Sequence, residues 1–413
     1  MNRRWLILAL VFLGILISYI DRGNLSIAAP SIMRDFRLAP ATMGILLSAF
    51  FWTYAIFQIP AGALVDWIGI RRAYAGGFLV WSLASAAIAL SRGADDIIGL
   101  RLLLGLAEAL APLASIAFIR NNFAGKDQGL PTSIYIAGQN IGPAVGALVG
   151  AILLDRWGWR MMFAITGLAA LFWLPGWWAA VPPDGTRATR QAEKAADDLA
   201  APRHWSWRML LSSRTVWAMS LAIMLSSYFW YFVLTWVPSY LILSRGFSVR
   251  EMGRVVSIAL FTMAVANVIG GLAADRVAAR IGVFPARLWF AALGWAGTAA
   301  ILLLLVAPNR SSALPILTIA MCATGIGNSS FWAISQHVPP KNMVGRTIGF
   351  LNTLSVAAGG AAPVITGYLL GPQKHFGPAI LVAGVCPALA AVCLLIAGPQ
   401  GLERMKMRLA GEA

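Results

Sequence analysis

The chain is 413 residues long, 59% apolar and only 12% charged, with a formal net charge of +16. Soluble domains carry about 25% charged and roughly 45–50% apolar residues. That contrast excludes a cytosolic enzyme, a nucleic-acid module and a disordered regulator, and leaves an integral membrane protein.

A membrane-crossing helix takes about 20 mostly apolar residues, with about 17–25 the usual range. Apolar runs broken by Gly, Pro or charge place spans at 5–30, 41–65, 73–91, 96–120, 131–154, 160–180, 215–243, 252–275, 284–306, 312–334, 346–370 and 377–397. The first run is too long for a signal-peptide core. It leads into Asp21-Arg22 without a small-x-small cleavage site, so it is expected to be a span and not a cleaved leader. The one sustained polar stretch, 181–213, follows six spans and precedes six more. The expected fold is all-α: a six-helix bundle at 1–180, a cytoplasmic linker at 181–213, and a pseudo-symmetric second bundle at 214–413 ending in a short tail.

With the N-terminus inside, 20 Lys and Arg fall on the inner side and 10 on the outer, while Arg22 and Arg101 remain within the hydrocarbon layer. The positive-inside rule then puts both termini in the cytoplasm. Topology explains the charge, and no nucleic-acid partner is implied. Minimal loops suit a bacterial inner membrane. Cys322, Cys386 and Cys393 all lie in spans, and the histidines are His204, His337 and His375. Neither a disulfide framework, a metal site nor a cofactor is expected.

The halves echo each other. Gly62-Ala-Leu-Val-Asp66-Trp-Ile-Gly69-Ile-Arg71-Arg72 closes the second span, and Gly271-Leu-Ala-Ala-Asp275-Arg276 closes the eighth. Gly142-Pro143 with Gly146 in the fifth span is echoed by Ala362-Pro363 with Gly367 in the eleventh. Internal repeats of this kind mark secondary transporters, whose substrate sites lie at mid-membrane between the repeats.

The Gly-x-x-x-Asp-x-x-Gly-x-Arg-Arg loop resembles the signature of the major facilitator superfamily. Tyr19-Ile-Asp21-Arg22-Gly-Asn24-Leu-Ser26 and Arg101-Leu-Leu-Leu-Gly105-Leu-Ala-Glu108 resemble its anion:cation symporter branch, which includes bacterial galactonate, glucarate and hexuronate transporters and the animal sialin and vesicular glutamate carriers. Trp236-Val-Pro238-Ser-Tyr240, followed by Arg245-Gly246-Phe247-Ser248, fits the same branch. Trp67 departs from the pattern, because the superfamily loop usually carries a basic residue there.

Charged side chains at the bilayer centre cost roughly 2.5–3.5 kcal/mol on insertion scales, so Asp21, Arg22, Arg101 and Glu108 must be paired or hydrated. Asp21 and Arg22 point about 100° apart on a helix, which lets one face a cavity and the other a neighbouring helix. Arg22 is the candidate for the substrate carboxylate, since a guanidinium stays charged and binds carboxylates in bidentate fashion. A structural ion pair with Asp21 or Glu108, never touching substrate, is the alternative. Asp21 and Glu108 are candidate proton carriers: burial favours a neutral carboxyl and a nearby arginine favours the ionised one. The resemblance implies that Arg101 acts as a coupling partner of Glu108. It also implies sugar-acid contacts at Tyr19, Tyr54, Gln139, Ser329, Trp332 and Asn352. Tyr228 and Tyr231 are weaker candidates, and Gly138, Gly142, Pro143 and Gly146 suit close packing. Asp66, Gly69, Arg71 and Arg72, with Asp275 in the second half, are expected to act at the inner gate.

The expected activity is import of an organic anion, a sugar acid foremost, by proton symport in a monomer, with sodium as the alternative coupling ion. Proton-antiport efflux is the rival transport reading. A membrane sensor lacks an output domain in the linker or tail, and membrane-embedded catalysis lacks a nucleophile–base pair.

Overall fold

The computed structural model of the chain describes residues 3–123, 127–183, 213–339 and 344–410. Apart from its ends, the expected linker lies outside the described residues. The helices before it are α1 (Arg3–Asp35), α2 (Pro40–Ile68), α3 (Ile70–Ala87), α4 (Ala94–Glu108), α5 (Leu110–Asn122), α6 (Gly129–Ala170) and α7 (Trp173–Ala180). Those after it are α8 (Arg214–Leu243), α9 (Val249–Ile281), α10 (Val283–Thr298), α11 (Ala313–His337), α12 (Val344–Leu370), α13 (Gly377–Ala397) and the short α14 (Pro399–Ala410). No strand occurs among the described residues.

Eleven helical segments among the described residues are long and apolar enough to cross a bilayer, with α4–α5 and α6–α7 each forming one of them. The α6–α7 segment covers 52 residues. At about 1.5 Å per residue that is far more than a hydrocarbon core of about 30 Å can hold. Gly158 divides it, with φ 78° and ψ 171°, a backbone region open essentially to glycine. Before the break, Gly138, Gly142, Gly146 and Gly150 recur every fourth residue, so they share one face. They meet α1 in order at Phe12, Leu16, Ile20 and Ile27. After it the chain runs back: Trp159 Nε1 donates to Asp35 at 2.7 Å, Trp173 Nε1 to the Leu10 carbonyl at 2.8 Å, and Arg3 Nε to the Ala180 carbonyl at 2.9 Å. The described residues therefore make twelve passes.

The internal repeat is visible in the backbone. Gly69 links α2 to α3 with φ 91° and ψ 157°, and Gly282 links α9 to α10 with φ 93° and ψ 157°. Aligning the two glycines corrects the echo read from sequence. Asp66 precedes its glycine by three residues and Asp275 by seven, so Asp275 sits one helical turn deeper.

Helices from the two sides of the linker meet along two seams, α2 with α12 and α6 with α9. A Cβ at Gly44 would lie 2.5 Å from the Pro363 carbonyl, one at Gly367 2.5 Å from the Pro40 carbonyl, and one at Gly253 2.8 Å from the Ala147 carbonyl. Arg250 Nε also pairs with Asp155 at 2.6 Å. All of these contacts lie at the ends of the helices remote from the chain termini. Toward the other end the same helices carry exposed apolar side chains, with Ile56, Trp67, Leu130, Val268 and Ile269 all more than half exposed. The seams are shut on one side of the molecule.

Candidate functional site

Four ionisable side chains converge near mid-helix. Thr53 Oγ1 donates to the Leu102 carbonyl at 2.7 Å, and Gly105 lets α4 approach α2 at Phe50. That contact sets the Phe50 ring between two cations, with Arg22 Cζ 5.0 Å and Arg101 Cζ 5.1 Å from its centroid. The Arg22 guanidinium also lies over Tyr19 at 4.4 Å and Tyr54 at 4.6 Å. Cation–π contacts of this kind are worth about 0.5–2 kcal/mol each, more where water is excluded, so the aromatic cage fixes the guanidinium in place.

Arg22 Nε donates to Glu108 Oε1 at 2.5 Å, with the Glu108 side chain fully buried and that of Arg22 15% exposed. From sequence Glu108 has two candidate partners, Arg101 seven residues away on the same helix face and an ion pair with Arg22. In the structure Arg22 holds it, across 86 residues of chain. Nε and Nη1 of Arg101 are buried without a hydrogen-bond partner among the described residues. Asp21 points the other way, receiving Ser85 Oγ at 3.3 Å and Asn24 Nδ2 at 3.4 Å. The adjacent acid and base therefore face different surroundings, as their 100° offset requires.

A cavity of about 50 Å³ opens beside this cluster, walled by Tyr19, Arg22, Gly23, Leu47, Phe51, Arg101 and Pro143 from one half and by Trp230, Tyr231, Leu234 and Thr235 of α8 from the other. Small-molecule pockets run to about 300–1,000 Å³, so a ligand of that size enters only with side-chain or helix movement. The α8 wall was under-read from sequence. Trp230, Tyr231, Leu234 and Thr235 form one helical stripe, and that spacing is the available signal.

Among the other sequence candidates, Gln139 Nε2 donates to Tyr135 Oη at 2.9 Å within α6, and Ser329 Oγ to the Ile326 carbonyl at 2.9 Å within α11. Trp332 packs edge-on to Phe331 at 5.6 Å, and Asn352 is half-buried on α12. None of these four walls the cavity in this conformation. At the inner-gate positions, Arg71 Nη2 donates to the Trp178 carbonyl at 2.7 Å while Trp177 Nε1 donates to the Arg71 carbonyl at 3.0 Å. Asp66 and Arg72 are exposed. Asp275 pairs with Arg287 of α10, inside its own set of helices. No group of three or more His, Cys, Asp or Glu that could hold a metal occurs among the described residues.

This arrangement of paired charges in a mid-membrane cavity between two helical repeats is that of a transporter. The Major Facilitator Superfamily profile matches residues 11–363, and the chain belongs to that family of membrane transporters, which are not enzymes. It is similar to the hexuronate transporter of Bacillus subtilis (strain 168), 27% identical over 96% of both chains. It is also similar to the D-galactonate transporter of Escherichia coli O6:H1, 25% identical over 96% of this chain and 95% of the relative. Among solved structures, a bacterial homologue of the human lysosomal transporter Spinster, captured inward-facing and unoccupied, superposes with a TM-score of 0.78 at 17% identity, covering 100% of this chain and 98% of that one. The D-xylose–proton symporter superposes with a TM-score of 0.69 at 18% identity over 94% and 97%. Those two likenesses concern the fold.

Proposed function

We propose that the protein imports a sugar acid (a hexuronate, hexonate or aldarate) across a bacterial inner membrane by proton symport. In this reading each monomer rocks the bundles at 1–180 and 214–413 about the cavity, with both termini cytoplasmic. The shut seams then lie on the outer side, and the conformation is inward-facing.

The observation that carries the reading is Arg22, caged by Tyr19, Phe50 and Tyr54, lining the cavity and held by a buried carboxylate. A substrate carboxylate and Glu108 compete for the same guanidinium. Protonating Glu108 releases Arg22 to the substrate, which makes the proton a condition of binding. Charge balance agrees: Arg22 and Arg101 against Asp21 and Glu108 sum to zero. A bound monoanion with one proton on Glu108 restores that zero, and an unbalanced buried charge is costly. The relatives named as hexuronate and D-galactonate transporters support the substrate class. Gln139, Ser329, Trp332 and Asn352 join the substrate when the inner side closes, and Asp66, Gly69, Arg71, Arg72 and Asp275 act in that closure.

The test is uptake of labelled glucuronate into proteoliposomes, competed by galactonate or neutral galactose. Acids should compete and galactose should not. Losing a buried charged partner costs about 2–5 kcal/mol, so Arg22→Ala should weaken apparent affinity at least about 30-fold. Equal competition by galactose would defeat the reading.

A further inference from the structure

A second polar feature lies on the face of α1 that carries Asp21. Gly14, Ser18 and Asp21 are spaced four and three residues apart, so they stack on one side of the helix. Gly14 makes room for Tyr74 of α3: a Cβ there would lie 2.5 Å from the Tyr74 hydroxyl. The Tyr74 ring packs against the stacked pair Trp173 and Trp177, with centroids 5.0 and 4.8 Å away. Ser115 lies seven residues beyond Glu108 along α4–α5, on the same face. The Ser18 hydroxyl stands beside Glu108, and that of Ser115 beside Tyr74.

Ser18, Asp21, Tyr74 and Glu108 are each 0–1% exposed. Among the described residues, Ser18 Oγ, Asp21 Oδ2, Tyr74 Oη and Glu108 Oε2 have no hydrogen-bond partner. Each such orphan costs about 1–3 kcal/mol if left dry, and proteins settle such clusters with internal water. Gly14 and Gly77 bring α1 and α3 into close contact with their neighbours here, and the buried Ala107, Ala111 and Ala114 are small residues on the α4–α5 side.

We propose that this seam is a water-bearing proton path. It connects Asp21 and Glu108 through Ser18, Tyr74 and Ser115 to the side of the membrane bearing the termini, and it is separate from the cavity in which Arg22 meets the substrate. The inference rests on the proton-symport reading. From Asp21 to Gly14 the path covers about 10 Å along α1, and Tyr74 stands four residues inside the start of α3. The charged groups bordering it are Asp21 and Glu108, with Arg22 and Arg101 on the cavity side. Each hydroxyl accepts a proton from one neighbour and passes its own to the next, so every serine and tyrosine ends as it began. For each proton a carboxyl loses, one is delivered to solution. Substrate can then occupy the cavity without blocking proton exit.

The experiment compares wild type with Tyr74→Phe and Ser18→Ala in proteoliposomes, in two modes. Proton-driven net uptake of glucuronate requires the carboxyls to release protons on every cycle, whereas glucuronate–glucuronate exchange does not. Net uptake should fall about tenfold or more, the low end for a positioned proton-transfer group, with exchange within about twofold of wild type. Hydroxyl-radical footprinting of the wild-type protein should mark Tyr74 in spite of its burial, because bound water generates the radical in place. Equal loss in both modes, no loss in either, or an unmarked Tyr74 overturns the path. If the wild type moves no protons with any sugar acid, the symport reading falls and the path with it. If the wild type couples normally and Tyr74→Phe does too, the path alone falls.

Discussion

Replacing Glu108 by glutamine should tighten sugar-acid binding while abolishing accumulation. The carboxylate accepts from Arg22 Nε at 2.5 Å and is fully buried, so an incoming substrate must displace a charge-assisted hydrogen bond worth about 1.5–3 kcal/mol. Glutamine keeps the shape but offers a neutral acceptor, with about half the strength. The difference, about 0.75–1.5 kcal/mol, returns to substrate binding and lowers Kd by about 3- to 12-fold. Titration of purified protein with glucuronate at neutral pH, followed by intrinsic tryptophan fluorescence, reads this directly. The wild type should approach the variant as the medium is acidified, because a protonated Glu108 and the substituted amide compete equally poorly. Uptake against a gradient should be lost in the variant. Unchanged or weaker binding would refute competition between Glu108 and substrate and return the pair to a structural role.

The seams and the turn give three further expectations. Gly44→Ala places a methyl group 2.5 Å from the Pro363 carbonyl. Overpacking costs about 1–3 kcal/mol and strains only the form in which this seam is shut. The population open on that side should rise about 5- to 150-fold, read as faster thiol labelling of Ala41→Cys above the background of the three native cysteines; unchanged labelling counts against the seam as drawn. Asp155→Asn removes an ion pair whose side chains are 34% and 50% exposed. Exposed pairs give about 0.2–1 kcal/mol, so the same labelling rate should rise by no more than about 5-fold and the effect should vanish in high salt. Gly158→Ala puts a Cβ on a backbone at φ 78° and ψ 171°, a strain of about 1–3 kcal/mol; Tm should fall while the glucuronate Kd stays constant, and an unaltered Tm would contradict the turn.

The span count was legible because a bilayer imposes one length on every apolar run. Asp21, Arg22, Arg101 and Glu108 stood out for a related reason, since charge is too expensive in lipid to persist unused. The partner of Glu108 was legible only as one of two readings, Arg101 or an ion pair with Arg22. Arg101 shares its helix face and is the local choice, while Arg22 wins through a tertiary approach of α1 to α4 that no spacing encodes. The same holds for the α8 wall of the cavity: an aromatic stripe reads equally as lipid-facing until the second bundle is set against the first. Asp275 illustrates a different limit. Its motif echoes Asp66, yet one extra helical turn before Gly282 moves it inward to Arg287, a register shift that only the backbone displays.

The central claim is that sugar-acid entry and proton entry are one event. Proteoliposomes with a trapped pH-sensitive dye, given glucuronate, galactonate, glucarate or galactose, test it in a single trace. Internal acidification should follow the acids, be absent with galactose, and disappear in Arg22→Ala and Glu108→Gln. Acid uptake with no pH change, or with a requirement for sodium, would contradict it.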